Sequence, residues 1–279
     1  MIRIGLIGHG KAGQAVASVL QQDPRFDLRW IARRQEMPCP AEAPAPVLSL
    51  ERALSPAWLR THPVDGVIDF SARDSLRRYG PIARERGWAV VSAISAYRDD
   101  DLDCARQLGQ HTRVLCSPNI TLGINFMMVA AGLLRRIAPH ADVEILEQHF
   151  RDKPEVSGTA RKLAERLDLP EDRITSLRLG GIVGHHEVIF GFPYQTVRIA
   201  HDAIRREAFG TGAAFAMSEL MHRPSGFYTF EDLLLERLRD ELTGPQGHPH
   251  PAGVTSRGPR RPHEKGAHRP LFDHVATTP

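Results

Sequence analysis

A short apolar run, Ile2-Arg3-Ile4-Gly5-Leu6-Ile7, passes without a break into Gly8-His9-Gly10-Lys11-Ala12-Gly13, and from there into Ala15-Val16-Ala17-Ser18-Val19-Leu20. A buried strand, a glycine-spaced turn and a helix in this order leave the chain little freedom. The first glycine of a Gly-x-Gly-x-x-Gly turn permits the tight bend, the second lets the backbone approach a pyrophosphate, and the third allows helix and strand to pack closely. Amides at the helix start then face the phosphates. A glycine-rich turn alone would carry little weight. Set between strand and helix, Gly8, Gly10, Lys11, Ala12 and Gly13 predict a dinucleotide site.

Further strand-like segments follow at 27–32, 64–70, 88–92 and 113–116, with helical patterns between several of them, for example 13–22 and 74–86. Strands alternating with helices imply an α/β fold, here a Rossmann doubly wound parallel sheet. The proline-rich stretch 38–46 reads as a loop. After Asn119 the pattern changes: a helix over 123–138, a strand ending in Glu147-Gln148-His149-Phe150, a helix over 158–167, then β-rich runs at 174–182 and 186–201. Helical segments at 207–221 and 229–239 close the folded part. The expectation is a dinucleotide-binding domain over 1–119, completed by 208–243, and a smaller α+β domain with a mixed sheet over 120–207. Residues 244–279 hold seven prolines, five glycines and five histidines. Their apolar residues are too few and scattered to pack a core, and the segment reads as a disordered tail.

Charge narrows the function classes. The formal net charge of +3 resides in that tail, and residues 1–243 are neutral, with 31 basic and 31 acidic side chains. A neutral body gives no electrostatic footprint for nucleic acid. The three cysteines, Cys39, Cys104 and Cys116, are an odd number without metal-like spacing. They suggest a reducing compartment, and no metal site is predicted. The N-terminal run reads as a buried strand rather than a signal peptide, and no apolar run reaches membrane-spanning length. A cytoplasmic location without membrane contact is expected.

The ribose end of the cofactor can be read as well. An NAD-binding domain usually carries an acid about 20 residues beyond its glycine turn. This chain has Arg33-Arg34 at the end of the second strand instead. Two guanidinium groups suit a 2′-phosphate, so NADPH is the expected cofactor, with NADH as the alternative. Two solvated loop arginines are the plainer interpretation.

A second cluster lies at 147–160, Glu-Gln-His-Phe-Arg-Asp-Lys-Pro-Glu-Val-Ser-Gly-Thr-Ala. Ser157 is a good helix N-cap, and Ala160, Leu163, Ala164 and Leu167 form the stripe of a packed helix. Its first amides and the Ser157 hydroxyl can bind a carboxylate, and Lys153 adds charge. His149 can donate a proton near neutral pH. The helix N-terminus adds positive potential to His149, Arg151 and Lys153. Such a cluster is comfortable only with an anion in it. From these residues alone, a capped helix beside a basic loop and a substrate site stand level, and the nucleotide turn upstream favours the site.

These residues resemble the signature of the 4-hydroxy-tetrahydrodipicolinate reductase family, a His-His-x-x-Lys run before Ser-Gly-Thr-Ala. The resemblance extends in order over about 1–240: Asp69-Phe70-Ser71, Ser117-Pro118-Asn119 through Gly123-Ile124-Asn125, Gly180 through Glu187, and Arg206 with Phe209, Gly212 and Ala213. It implies NAD(P)H-dependent reduction of a cyclic dicarboxylate in lysine and diaminopimelate biosynthesis. It further implies His149 as general acid and Lys153 as partner of a substrate carboxylate. Ser157, Gly158 and Thr159 would hold a carboxylate at the helix start, and Arg206 would lie by the pocket. Asp69, Phe70, Ser71, Ser92, Ser117 and Asn119 would join the nucleotide site. A homotetramer formed through the sheet of the smaller domain is implied too, making 120–207 the substrate-binding and oligomerisation domain.

Four departures stand out. Phe150 replaces the family's second histidine, leaving an apolar wall. The loop Pro154-Glu155-Val156 is one residue shorter than the common type, and Glu155 would repel a dicarboxylate if it pointed inward. Ser92-Ala93-Ile94-Ser95 replaces Gly-Thr-Thr-Gly, and Ala72-Arg73 replaces x-Pro. Two alternatives therefore stay open: a related NADPH-dependent imino- or amino-acid dehydrogenase, and a non-catalytic sensor of NADPH.

Overall fold

The N-terminal apolar run forms β1 (Ile2–Ile7), and the glycine turn delivers the chain into α1 (Lys11–Gln22). The computed structural model describes residues 1–35 and 42–244. The first four residues of the proline-rich stretch 38–46 and nearly all of the expected tail lie outside the described residues. The chain continues through β2 (Phe26–Arg33), β3 (Val47–Ser49), α2 (Leu50–Ala53), α3 (Pro56–Thr61), β4 (Gly66–Asp69), α4 (Ser75–Arg86) and β5 (Ala89–Ser92). Next come α5 (Asp99–Gly109), β6 (Arg113–Cys116), α6 (Leu122–Ile137), β7 (Asp142–His149) and α7 (Gly158–Leu167). The last elements are β8 (Ile174–Arg178), β9 (His185–Phe192), β10 (Gln195–Asp202), α8 (Glu207–Met221), β11 (Gly226–Tyr228) and α9 (Phe230–Thr243).

Seven strands form one sheet in the order β3-β2-β1-β4-β5-β6-β11, every pair parallel. Near-continuous apolar runs such as Val67-Ile68 and Val90-Val91 fit strands covered on both faces. Val16, Leu20, Met217 and Phe230, from α1, α8 and α9, pack on one face, and Leu59, Leu76, Tyr79 and Leu108, from α3, α4 and α5, pack on the other. The strand order reverses between β1 and β4. Ligands of such sheets bind in the crevice outside the carboxyl ends at that point. There the Gly8–Gly13 turn and Asp69-Phe70-Ser71 leave the sheet.

The second sheet has the order β10-β9-β7-β8, antiparallel except for the parallel pair β7/β8. Val143 and Ile145 of β7 and Val188 and Phe190 of β9 face a core shared with α6 and α7. Alternate residues Glu144, Leu146 and Gln148 face the other way. Two β-rich runs turned out differently from expectation. The 174–182 run ends as a strand at Arg178, and 186–201 is a hairpin reversed at Pro193-Tyr194. Proline lacks the amide a ladder needs and presets a turn. Among the described residues, no helix is long and apolar enough to cross a membrane.

Candidate active site

The nucleotide turn is built by close contact. Gly8 adopts φ 105°, a left-handed conformation that a side chain disfavours, and its amide donates to the Ala32 carbonyl at 2.8 Å. A Cβ on Gly13 would lie 2.1 Å from the Gly8 oxygen, so this glycine seats the helix against the strand. A Cβ on Gly10, by contrast, would meet nothing within 4 Å. It faces a cavity of about 550 Å³ that Arg33, Arg34, Phe70, Ser71 and Arg78 also line. Burial, and then the nearby Arg33 charge, lowers the His9 pKa. A second cavity of about 290 Å³ shares Phe70 and Ser71 and is walled by Ala12, Ala93, Ile94, Pro118 and Phe209.

Several residues expected at the nucleotide face into protein. Asp69 is buried, and its Oδ1 accepts from the Ser71 amide at 2.8 Å and hydroxyl at 2.5 Å. Burial pushes its carboxyl up to about 6, hydrogen bonds from Ser71 offsetting only part of the shift. Asp69 shapes the turn that presents Phe70 and Ser71. Ser92 is buried, with the Tyr97 hydroxyl 2.7 Å from its carbonyl and 3.0 Å from its Oγ. Ser117 donates to the Asn119 carbonyl at 2.6 Å, and Asn125 donates to the same oxygen at 2.7 Å. These bonds brace the crossing into α6. Lys11 is exposed at the first turn of α1.

The second cluster sits where β7 and β8 end beside the start of α7. The Ser157 Oγ accepts from the Thr159 amide at 3.2 Å and lies 2.8 Å from His186 Nε2. A Cβ on Gly158 would meet nothing within 4 Å, so the helix start opens onto free space. His149 is buried at the end of β7, its Nδ1 2.5 Å from Glu147 Oε2. Its other edge faces Gly184, where a Cβ would lie 3.2 Å from Nε2. Lys153 is half-buried, and among the described residues its ammonium makes no ion pair or hydrogen bond. Phe150 is 44% exposed. Arg206, exposed at the start of α8, stands apart from this hydrogen-bond network. Glu155 points outward, its side chain 77% exposed and 3.9 Å from Arg161. The feared repulsion of a dicarboxylate is absent.

Sequence reasoning missed the residue at the centre. Glu147 is fully buried, and its carboxylate accepts from Ser176 Oγ at 2.6 Å, the Ser157 amide at 3.3 Å, and Arg178 Nη1 and Nη2 at 3.0 and 2.8 Å. Burial alone would push the Glu147 carboxyl up, but these bonds, led by Arg178, outweigh it and hold it down at about 2. The cluster thus contains an anion of its own. Arg178 cancels that charge, so Lys153 and Arg151 still form a cationic surplus. Glu147 pairs across the ladders with Ser176 and His186, and His186 with His201, so one polar row crosses all four strands.

Burial, followed by the neighbouring His149, lowers His186 from 6.5 to about 4. Below pH 6.5 the unfolded chain gains a proton here that the native state refuses. The contribution of His186 to stability is therefore full above 6.5 and disappears as pH falls to about 4. The loss amounts to about 3 kcal/mol at most. Asp69 acts in the opposite sense: its contribution is full below 3.8 and lost as pH rises through about 6. Urea unfolding of wild type and His186→Gln from pH 7.5 to 4.5 separates them. The gap between the two proteins narrows as pH falls, and a constant gap would contradict a neutral buried imidazole.

The sequence matches family models on both sides of the crossing segment: "Dihydrodipicolinate reductase, N-terminus" over residues 2–120 and "Dihydrodipicolinate reductase, C-terminus" over 123–234. The 4-hydroxy-tetrahydrodipicolinate reductase of Caldanaerobacter subterraneus subsp. tengcongensis is 30% identical over 257 residues, 84% of this chain and 98% of that protein. The enzyme of the same name from Symbiobacterium thermophilum is 31% identical over 258 residues, 85% of this chain and 98% of that protein. Among solved structures, the dipicolinate-bound dihydrodipicolinate reductase from Paenisporosarcina sp. TG-14 superposes with a TM-score of 0.69 at 22% identity, covering 82% of this chain and 97% of that one. A glycine turn at the switch point of a parallel sheet, a histidine and lysine before a serine-capped helix, and matches spanning both sheets agree: the chain belongs to the dihydrodipicolinate reductase family.

Proposed function

We propose a division of labour within this site for the reaction of the family, the NAD(P)H-dependent reduction of 4-hydroxy-tetrahydrodipicolinate to tetrahydrodipicolinate in lysine and diaminopimelate biosynthesis. A bound nicotinamide supplies the hydride. The open face of Gly10 and the adjoining cavity fit a dinucleotide. Gly8, Gly10 and the first amides of α1 hold the pyrophosphate, and Phe70 and Ser71 line its path. Arg33 and Arg34 pair with a 2′-phosphate, which makes NADPH the preferred cofactor. His149 delivers a proton to the reduced ring, and Lys153 pairs with a substrate carboxylate. The amides of Gly158 and Thr159, with the Ser157 hydroxyl, hold a carboxylate at the start of α7. Dipicolinate, bound by the Paenisporosarcina reductase, is a dicarboxylate of this kind. Phe150 supplies an apolar wall and Arg206 approaches from α8. The observation that carries this reading is a buried, carboxylate-paired histidine two residues beyond Glu147, beside an open helix start.

The outer face of the second sheet, with Leu146, Leu177 and Ile189 among charged residues, serves as the contact of a homotetramer, and the enzyme works in the cytoplasm. Light scattering on the purified chain tests the assembly. A tetramer's mass agrees with it and a monomer's retires it.

Purified protein coupled to dihydrodipicolinate synthase, pyruvate and aspartate semialdehyde oxidises NADPH faster than NADH. Replacing Arg33 and Arg34 together by alanine raises KM for NADPH about 10- to 100-fold, the cost of losing charge-assisted hydrogen bonds, and spares NADH. Equal loss with both cofactors would contradict a 2′-phosphate site. Tight NADPH binding without synthase-dependent turnover would point to the sensor, and turnover of another imino acid to the dehydrogenase.

A further inference from the structure

Arg178 has five N–H donors, and each one is used. Two go to Glu147. Nε donates to the Lys153 carbonyl at 3.0 Å, Nη2 to the Glu155 carbonyl at 2.8 Å, and Nη1 to the Leu177 carbonyl at 2.9 Å. One guanidinium thus joins the buried carboxylate under His149 to the backbone of the loop that carries Lys153. That loop is the shortened one, and it is anchored from β8 rather than by its own length.

Glu147 constrains His149 in turn. An ionised carboxylate only accepts hydrogen bonds, so the imidazole nitrogen 2.5 Å away must be the one bearing hydrogen. Nε2 is then left as the nitrogen without hydrogen, on the ring edge that faces Gly184. A buried ion pair is a poor device for stability alone, since apolar residues of similar volume often serve as well. We infer that Glu147 and Arg178 are positioning residues of the reaction, Glu147 fixing the proton on His149 Nδ1 so that Nε2 is the transferring atom, and Arg178 holding Lys153 in register with it. The inference rests on His149 acting as the acid.

The test combines kinetics with a spectroscopic readout on the full-length protein. In the coupled assay, Glu147→Gln lowers kcat roughly 10- to 100-fold, the usual cost of removing a group that orients a functional histidine, and leaves the Kd for NADPH unchanged. In a His149→Ala background the same substitution costs less than about twofold, because the two act as one unit. Arg178→Lys, with three donors for five acceptors, lowers kcat without restoring the loop. Independent multiplication of the Glu147 and His149 effects would overturn the proposal. Glu147→Gln strips Arg178 of its counter-charge, so a measurement on the wild type stands beside it. Nitrogen-15 shifts of the His149 ring, assigned by their loss in His149→Ala, report a proton held on Nδ1. A bare Nδ1 with a proton on Nε2 overturns the proposal even if Glu147→Gln fails to fold. Wild-type turnover in His149→Ala would remove the acid assignment and the proposal with it. That failure is distinct, because the others leave His149→Ala strongly impaired, with only residual turnover.

Discussion

Lys153→Ala lowers kcat/KM for the dicarboxylate about 10³-fold, within the range for a group that assists proton transfer and charge stabilisation together. NADPH binding stays within twofold of wild type on this expectation. The lysine sits on the loop before α7, while the nucleotide turn is a feature of the other sheet. Its backbone is held independently of its side chain, the amide donating to the Phe150 carbonyl at 3.1 Å and the carbonyl accepting from Arg178 at 3.0 Å. Truncation therefore removes an ammonium without releasing the loop. Fluorescence titration with NADPH and steady-state kinetics of the variant check both halves. Undiminished turnover would refute the role of Lys153.

Gly13→Ala has the converse signature. Its new methyl would meet the Gly8 oxygen at 2.1 Å, a backbone atom that can yield only if the turn itself moves. Overpacking of this kind costs about 1–3 kcal/mol. Here it displaces the amides proposed to hold the pyrophosphate, so NADPH affinity falls about 10- to 100-fold. Calorimetry and nucleotide titration measure the two effects. An unshifted Tm with wild-type affinity would mean that the turn does not seat the cofactor.

The parallel sheet was largely legible because its strands are short apolar runs separated by helical periodicity. β1, β4, β5 and β6 all fell within a residue or two of their expected positions. β3 and β11 were not, since three residues carry no period, and β11 joins the sheet only by pairing with β6, over a hundred residues earlier. The Ser157 cap and its helix were readable from composition and spacing. Glu147 was missed because a glutamate in a strand suggests solvent. Alternation could have found it: Val143, Ile145, Glu147 and His149 share one parity, so the first two place the third indoors. Arg178 was beyond reach, for its contact depends on the parallel register of β7 with β8. Asp69 and Ser92 had the right addresses at the sheet's carboxyl end, but nothing local reveals that Ser71 and Tyr97 satisfy them from within.

The alternation of β7 has an evolutionary corollary. Odd-numbered residues from 143 to 149 belong to the site and its core, while the even-numbered ones between them face outward on the same strand. Point substitutions can adjust either surface alone. A single-residue insertion or deletion within the strand cannot, because it turns every later side chain to the opposite face. Lineages carrying this sheet should therefore vary in residue type at the outward-facing positions of β7, tolerate length changes in the loops beyond it, and hold the strand itself to a constant length.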